Sequence, residues 1–138
     1  MSNIRIEDFS VGDWVELKTT GDKYQIEEIL KGGIVRLVDN RHLQSIENLN
    51  PIILTQEIMK ANNFECIEVG DKGPSTPKQN YMRYEHWRGE TTWGRRDLFY
   101  DRMTKKWRFG GMNEYRFDEV HKLQHAIRFS GWDKEIQL

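Results

Sequence analysis

Asn50-Pro51-Ile52-Ile53-Leu54-Thr55-Gln56-Glu57-Ile58-Met59-Lys60-Ala61-Asn62-Asn63-Phe64 is the stretch that divides the chain. Pro51 fixes its own φ and disfavours helical backbone at Asn50, so an element arriving from the N-terminal side stops there. Ile52, Ile53 and Leu54 form an apolar run short enough to cross a core. The Thr55 hydroxyl suits an N-cap, and Glu57 sets negative charge against the positive end of a helix dipole. Ile58, Met59 and Ala61 give such a helix a buried side. Asn62 and Asn63 end it, because Asn tolerates the left-handed conformation at helix termini. The spacing predicts a two-turn helix over 55–62, and Phe64 starts a new sheet. The run and helix fit best as a fixed brace between two sheets: a β unit over 1–50 and an α+β unit over 51–138, in one compact domain.

Upstream of the joint the pattern is β. Ile4, Ile6 and Phe9 anchor a lead-in, and Trp14–Lys18 is a first strand. Turns rich in Gly, Asp and Asn at 19–23, 31–33 and 39–42 separate it from segments centred on Ile26, Val35 and Leu43. Short strands with glycine turns at this spacing suggest a small antiparallel barrel. Val11-Gly12-Asp13-Trp14-Val15, followed by a hairpin, resembles the opening of SH3-like barrels. Such barrels hold peptides, nucleic acid or a neighbouring domain, so the likeness bears on architecture alone.

Downstream, residues 64–117 read as an antiparallel meander of three or four strands. Phe64, Ile67 and Val69 mark one strand, and 70–80 is a polar loop with two prolines. Residues 81–87 mark the next, and 98–101 with 106–109 form a hairpin. Asp118 is placed to cap a helix over 119–129, where Val120, Leu123 and Ile127 share a face and Gly131 lies just beyond the end. Trp132 and Ile136 are expected to fold the tail back onto the sheet. The fold class is α+β: a small SH3-like barrel, a short helix, a meander and a C-terminal helix.

Composition narrows the chemistry. Hydrophobic residues make up 37% of the 138, with aromatics at 12% supplying large buried areas. No apolar run approaches the roughly 20 residues that span a bilayer, and the N-terminus lacks a signal core, so a cytoplasmic protein with no membrane partner is expected. Cys66 is the only cysteine, which excludes an internal disulfide and a Cys-rich zinc site. The net charge of −1 is uneven. Residues 1–69 hold seven Lys/Arg against twelve Asp/Glu, a balance of −5, whereas 81–109 hold eight against four, a balance of +4. Such asymmetry marks either an anion-binding face or two halves that dock on each other.

Two pieces carry a family likeness. Pro51-Ile52-Ile53-Leu54-Thr55-Gln56-Glu57-Ile58 with Asn63-Phe64-Glu65 is similar to a P-I-x-L-T-x-E-I-L…G-F segment. Val120-His121-Lys122-Leu123-Gln124, then Gly131 and Glu135-Ile136, is similar to a terminal V-H-x-L-Q-N…T-G-x-E-L segment. Both resemble small uncharacterised proteins of Bacteroidetes, their mobile elements and their phages. Asn63 departs from a usual glycine, His125 from a usual asparagine, and Ala126-Ile127-Arg128 from a more apolar stretch. The resemblance implies a setting, bacterial or phage, and brings no activity or cofactor.

Catalytic patterns are weak. His121 and His125 share a helical face, but the residues between them lack a zinc protease's glutamate, and no metal or cofactor site follows. Glu85, His86, Glu90, Asp97 and Asp101 are acids and bases without diagnostic spacing. There is no nucleophile elbow and no phosphate-binding glycine loop with lysine. The richest constellation is aromatic and basic: Arg83, Trp87, Arg88, Trp93, Arg95, Arg96, Trp107 and Arg108. Rings offer stacking faces and guanidinium groups bind phosphate, a combination suited to a nucleotide. The same residues also suit the core of a small sheet, with Arg packed over Trp. Residues 88–96, short, polar and glycine-flanked, are the segment least explained as core.

These observations favour a non-enzymatic binding protein for an anionic, nucleotide-like ligand. Long nucleic acid is a poorer partner, because backbone affinity grows with the phosphates neutralised. A protein-interaction module that docks a partner or a second copy is the alternative, and a hydrolase is third.

Overall fold

The computed structural model describes residues 6–40, 42–70, 84–91, 94–109, 115–132 and 134–138; the side chains of Ile6 and of residues 68–70, 84, 90–91 and 94–96 are outside that description. The fold is α+β, with two five-stranded antiparallel sheets and two α-helices among the described residues. Two compact units divide the chain: Met1–Ile53 with Glu119–Gln124 and Leu138, and Leu54–Asp118 with His125–Gln137.

In the first unit, β1 (Trp14–Leu17), β2 (Lys23–Leu30), β3 (Ile34–Leu37), β4 (Leu43–Ser45) and β5 (Leu49–Asn50) make one sheet in the order β4-β3-β2-β1-β5. Alternation decides the buried face: Val15, Leu17, Ile26, Val35, Leu37 and Leu49 point inward and join Phe9 and Ile46 in one cluster. The sheet is open where the sequence suggests a closed barrel. Its end strands are three and two residues long, joined through a 3-10 turn at Ile46–Asn48. Closure requires the end strands to pair, and their recorded partners are β3 and β1 only.

Gln124 ties helix α2 (Val120–Phe129) to this sheet: its Oε1 accepts from the Trp14 amide at 2.9 Å, and its Nε2 donates to the Gly12 carbonyl at 2.9 Å. His121 stacks on Phe9 with centroids 4.4 Å apart. The Ile52 carbonyl accepts from the Val120 amide at 2.8 Å, and Ile53 bridges to Glu119. The apolar run after Pro51 therefore bonds to the start of α2.

The second unit opens with α1 (Gln56–Ala61). Thr55 caps it, its hydroxyl accepting from the Ile58 amide at 3.2 Å. Asn63 takes a left-handed φ of 67°, as its side chain allows and as glycine does freely. The chain then enters β6 (Phe64–Gly70), followed by β7 (Tyr84–Thr91), β8 (Gly94–Asp101), β9 (Lys106–Phe109) and β10 (Arg116–Phe117) in the order β10-β9-β8-β7-β6. The meander has five strands among the described residues, one or two more than its sequence suggests. Residues 88–91 and 94–96 lie on strands: β7 runs on to Thr91 and pairs with β8 from Gly94. α2 closes with a Schellman arrangement, in which Gly131 N–H meets the Arg128 carbonyl and Trp132 N–H the Ile127 carbonyl, each at 3.1 Å, with Gly131 at φ 74°. Trp132 and Ile136 are buried, as the tail pattern predicts.

No helix among the described residues is long and apolar enough to cross a membrane.

Candidate functional site

Alternation along the second sheet separates a core face from an open one. Trp87, Leu98, Trp107, Phe109 and Phe117 are buried on the first. Trp87 and Trp107 are each 1% exposed and meet edge to face at 5.6 Å. Tyr100 tilts against Trp107 at 4.7 Å. Trp87 Nε1 donates to Glu85 Oε1 at 2.8 Å, and the Glu85 carboxylate also accepts from Arg102 Nε at 2.7 Å. These two tryptophans fill the core and present no stacking face to solvent.

On the open face the register sets Arg88 opposite Asp97, and His86 opposite Phe99, which in turn faces Arg108. His86 stacks on Phe99 at 4.7 Å, and the Arg108 guanidinium sits 4.6 Å from the Phe99 ring centre. Asp97 Oδ1 contacts His86 Nε2 at 2.9 Å and Arg88 Nε at 3.5 Å. Burial pushes the Asp97 carboxyl upward, but the hydrogen bonds and charges of His86 and Arg88 together outweigh it and hold the group below its ordinary range. The His–Asp pair is poorly placed for proton transfer to a ligand. Nε2 is committed to Asp97, and Nδ1 is buried with no hydrogen-bond partner among the described residues. A general base needs a nitrogen within reach of the proton it takes.

The edge of this sheet carries a cleft of about 320 Å³ lined by Asn63, Glu65, Arg88 and Lys134. Each residue is there for a local reason. Asn63 is the left-handed residue after α1. Glu65 of β6 lies opposite Arg88 of β7 in register. Lys134 follows the Schellman turn and spans the rings below it, its Nζ 5.1 Å from the Phe64 ring centre and 5.9 Å from that of Trp132. Phe64 and Trp132 meet edge to face at 5.6 Å. Asn62 holds the tail beyond: its Nδ2 donates to the Gln137 carbonyl at 2.9 Å and its Oδ1 accepts from the Gln137 amide at 2.7 Å. Burial lowers the Lys134 ammonium's pKa from its ordinary value. No carboxylate among the described residues pairs with it, whereas Lys106 meets Asp118 at 2.9 Å and Lys122 meets Glu119 at 3.5 Å. Lys134 and Arg88 set two cations against the one carboxylate of Glu65 in the lining, a balance that suits an anion.

Of the residues singled out from sequence, Arg88 lines the cleft and Arg108 lies on the open face, while Trp87 and Trp107 belong to the core. The backbone sets Arg95 opposite Glu90 and Arg96 opposite Gly89, their side chains being outside the description. Arg83 and Trp93 lie outside the described residues. Sequence reasoning missed Lys134, Glu65 and Asn63. The available signal was indirect: Trp132 and Ile136 bring the tail back, and Lys134 lies between them. Among the described residues no three His, Cys, Asp or Glu side chains cluster as a metal site.

No protein-family model, curated protein or solved structure matches the chain.

Proposed function

We propose that this is a non-enzymatic binding protein that takes an anionic, nucleotide-like ligand into the cleft at Asn63, Glu65, Arg88 and Lys134. One observation carries the reading: Lys134, partly withdrawn from water and without a carboxylate partner among the described residues, lines the same cleft as Arg88. Two cations suit a phosphate, and Arg offers it a planar pair of donors. Glu65 and Asn63 supply acceptors for sugar hydroxyls, the use a carboxylate serves in dinucleotide sites. The volume lies at the small end for ligand pockets, about 300–1,000 Å³, which favours a mononucleotide over a polymer. In the phage or mobile-element setting that the family likeness implies, such a protein sequesters a host signalling nucleotide in the cytoplasm and so blunts a defence.

Thermal shift across a panel of mono- and cyclic nucleotides tests this. A ligand at about 100 times its Kd raises stability by about 2.7 kcal/mol. Arg88→Ala and Lys134→Ala should remove the shift; no shift from any nucleotide rejects the reading.

A second reading is a protein-interaction module in the first unit. Val11 and Leu43 there are exposed at 57% and 50%, apolar surface that a partner would cover. Light scattering that shows a dimer sensitive to Leu43→Lys supports it.

A further inference from the structure

Arg88 reaches the cleft with most of its donors unspent. Its Nε donates to Asp97 Oδ1 at 3.5 Å, and its two terminal nitrogens make no hydrogen bond to a described residue. A guanidinium carries five N–H donors in one plane, so an anchor at Nε leaves the four on the terminal nitrogens. That end of the fork takes two oxygens of one phosphate side by side. The anchor is itself held. Asp97 is ionised near neutral pH, so its oxygens only accept, and His86 Nε2 stands 2.9 Å from the same Oδ1 as a donor. His86 Nδ1 is buried with no partner among the described residues, so no rival bond turns the ring. The ring lies 16° from parallel on Phe99 at 4.7 Å, and the Arg108 guanidinium sits 4.6 Å from the Phe99 centre. Two neighbouring pairs in the β7–β8 register, Arg88 with Asp97 and His86 with Phe99, build the whole chain of contacts.

We propose that Asp97, steadied by His86, is a positioning residue for the cleft: it anchors Arg88 through Nε and leaves the terminal nitrogens to grip two oxygens of the ligand's phosphate. The proposal rests on the nucleotide reading for its anion and adds the residues that aim the cation. A long free side chain gives up rotamer freedom when a ligand fixes it, and an anchored one gives up less. Asp97 thereby acquires a role opposite in sign to its charge. A carboxylate beside an anion site repels the anion, so by charge alone Asp97 weakens binding, whereas as an anchor it strengthens it.

The probe is inorganic phosphate, titrated into the full chain at neutral pH and followed by NMR at the Arg88 Nε–H. Asp97→Asn and Asp97→Ala both remove the charge, and only the first keeps an oxygen for that N–H to reach. Phosphate should bind Asp97→Asn about fivefold more tightly than Asp97→Ala, the worth of roughly one net hydrogen bond. A second measurement needs no ligand. Nitrogen relaxation at Arg88 Nε should report an ordered side chain in the wild type and in Asp97→Asn. It should report a mobile one in Asp97→Ala and in His86→Phe, which keeps a ring on Phe99 but loses the N–H to Asp97. Equal phosphate affinity in the two Asp97 variants overturns the proposal, and so does a mobile Arg88 in the wild type, where no substitution can have disturbed the fold. The two readings fail separately. An Arg88 that loses its order in Asp97→Ala, with no thermal shift from any nucleotide, sinks the nucleotide reading and keeps the anchor. A nucleotide shift with equal phosphate affinity in Asp97→Asn and Asp97→Ala does the reverse.

Discussion

Gly89 is the position where one methyl group tests the architecture around the cleft. A Cβ built there would stand 2.6 Å from Phe64 Cε1, 2.8 Å from Trp132 Cη2 and 2.9 Å from Phe64 Cδ1. Phe64 and Trp132 are 3% and 5% exposed, so both rings are held on their other sides and cannot swing into solvent. Overpacking of this kind costs about 1–3 kcal/mol. Alanine recovers about 0.4–1 kcal/mol by restricting the unfolded chain. The net expectation for Gly89→Ala is a loss of about 1–2 kcal/mol, or roughly 4–8 °C in Tm for a chain of this size. Thermal and urea melts followed by circular dichroism measure it, with an unchanged m-value showing that the loss is in native packing. Phe64→Leu should cost less in the Gly89→Ala background than alone, giving a coupling above about 0.5 kcal/mol. An alanine variant as stable as wild type, or more so, refutes the packing argument. The same rings underlie Lys134, so the variant should also weaken whatever the cleft holds.

Asn62→Ala removes three side-chain hydrogen bonds, two to Gln137 and one to the Ile58 carbonyl, and should cost about 2–3 kcal/mol in a denaturant melt. Glu85→Ala strands the buried Trp87 N–H and removes the Arg102 contact to that carboxylate, for a loss of about 2–3 kcal/mol that Glu85→Gln recovers in part, as calorimetry would show. Asp97→Asn probes a carboxyl whose folded pKa is lowered. Its contribution is complete above the unfolded pKa, near 3.8, and is lost as pH falls through the lower folded value. The side chain is 43% exposed, so screening limits the effect to about 1 kcal/mol or less. Wild type and variant should differ at pH 6 and converge in acid.

Much of the fold was legible because local chemistry and tertiary context agree. Thr55, Asn62 and Asn63 bound a helix in the sequence and do so in the structure, and Gly131 ends α2 as its position suggests. Barrel closure was not legible, because strand pairing at the ends depends on lengths of two and three residues that periodicity does not resolve. Arg88 lies on the open face and Gly89 on the buried one, and only the partner register reveals Gly89 as the hollow into which Phe64 and Trp132 pack. Tryptophan and arginine interleaved in sequence point to opposite faces in a strand, which parted Trp87 from Arg88. Lys134 carried no pattern of its own, since most of its surroundings, Asn63, Phe64, Glu65 and Arg88, come from distant parts of the chain.

The Asn62 latch bears on the dynamics of the tail. One side chain satisfies both the amide and the carbonyl of Gln137, as a neighbouring strand would. The Gln137 amide should therefore exchange with deuterium only when Asn62 lets go, at a rate shared with the end of α1. Its neighbours at Glu135 and Leu138, where the side chains are exposed, make a natural comparison. If Gln137 exchanges as slowly as Asn62, the segment carrying Lys134 is fixed from both sides, by Trp132 before it and Gln137 after it. The cleft then meets its ligand already formed, and binding proceeds without the ordering cost that a loose tail would impose.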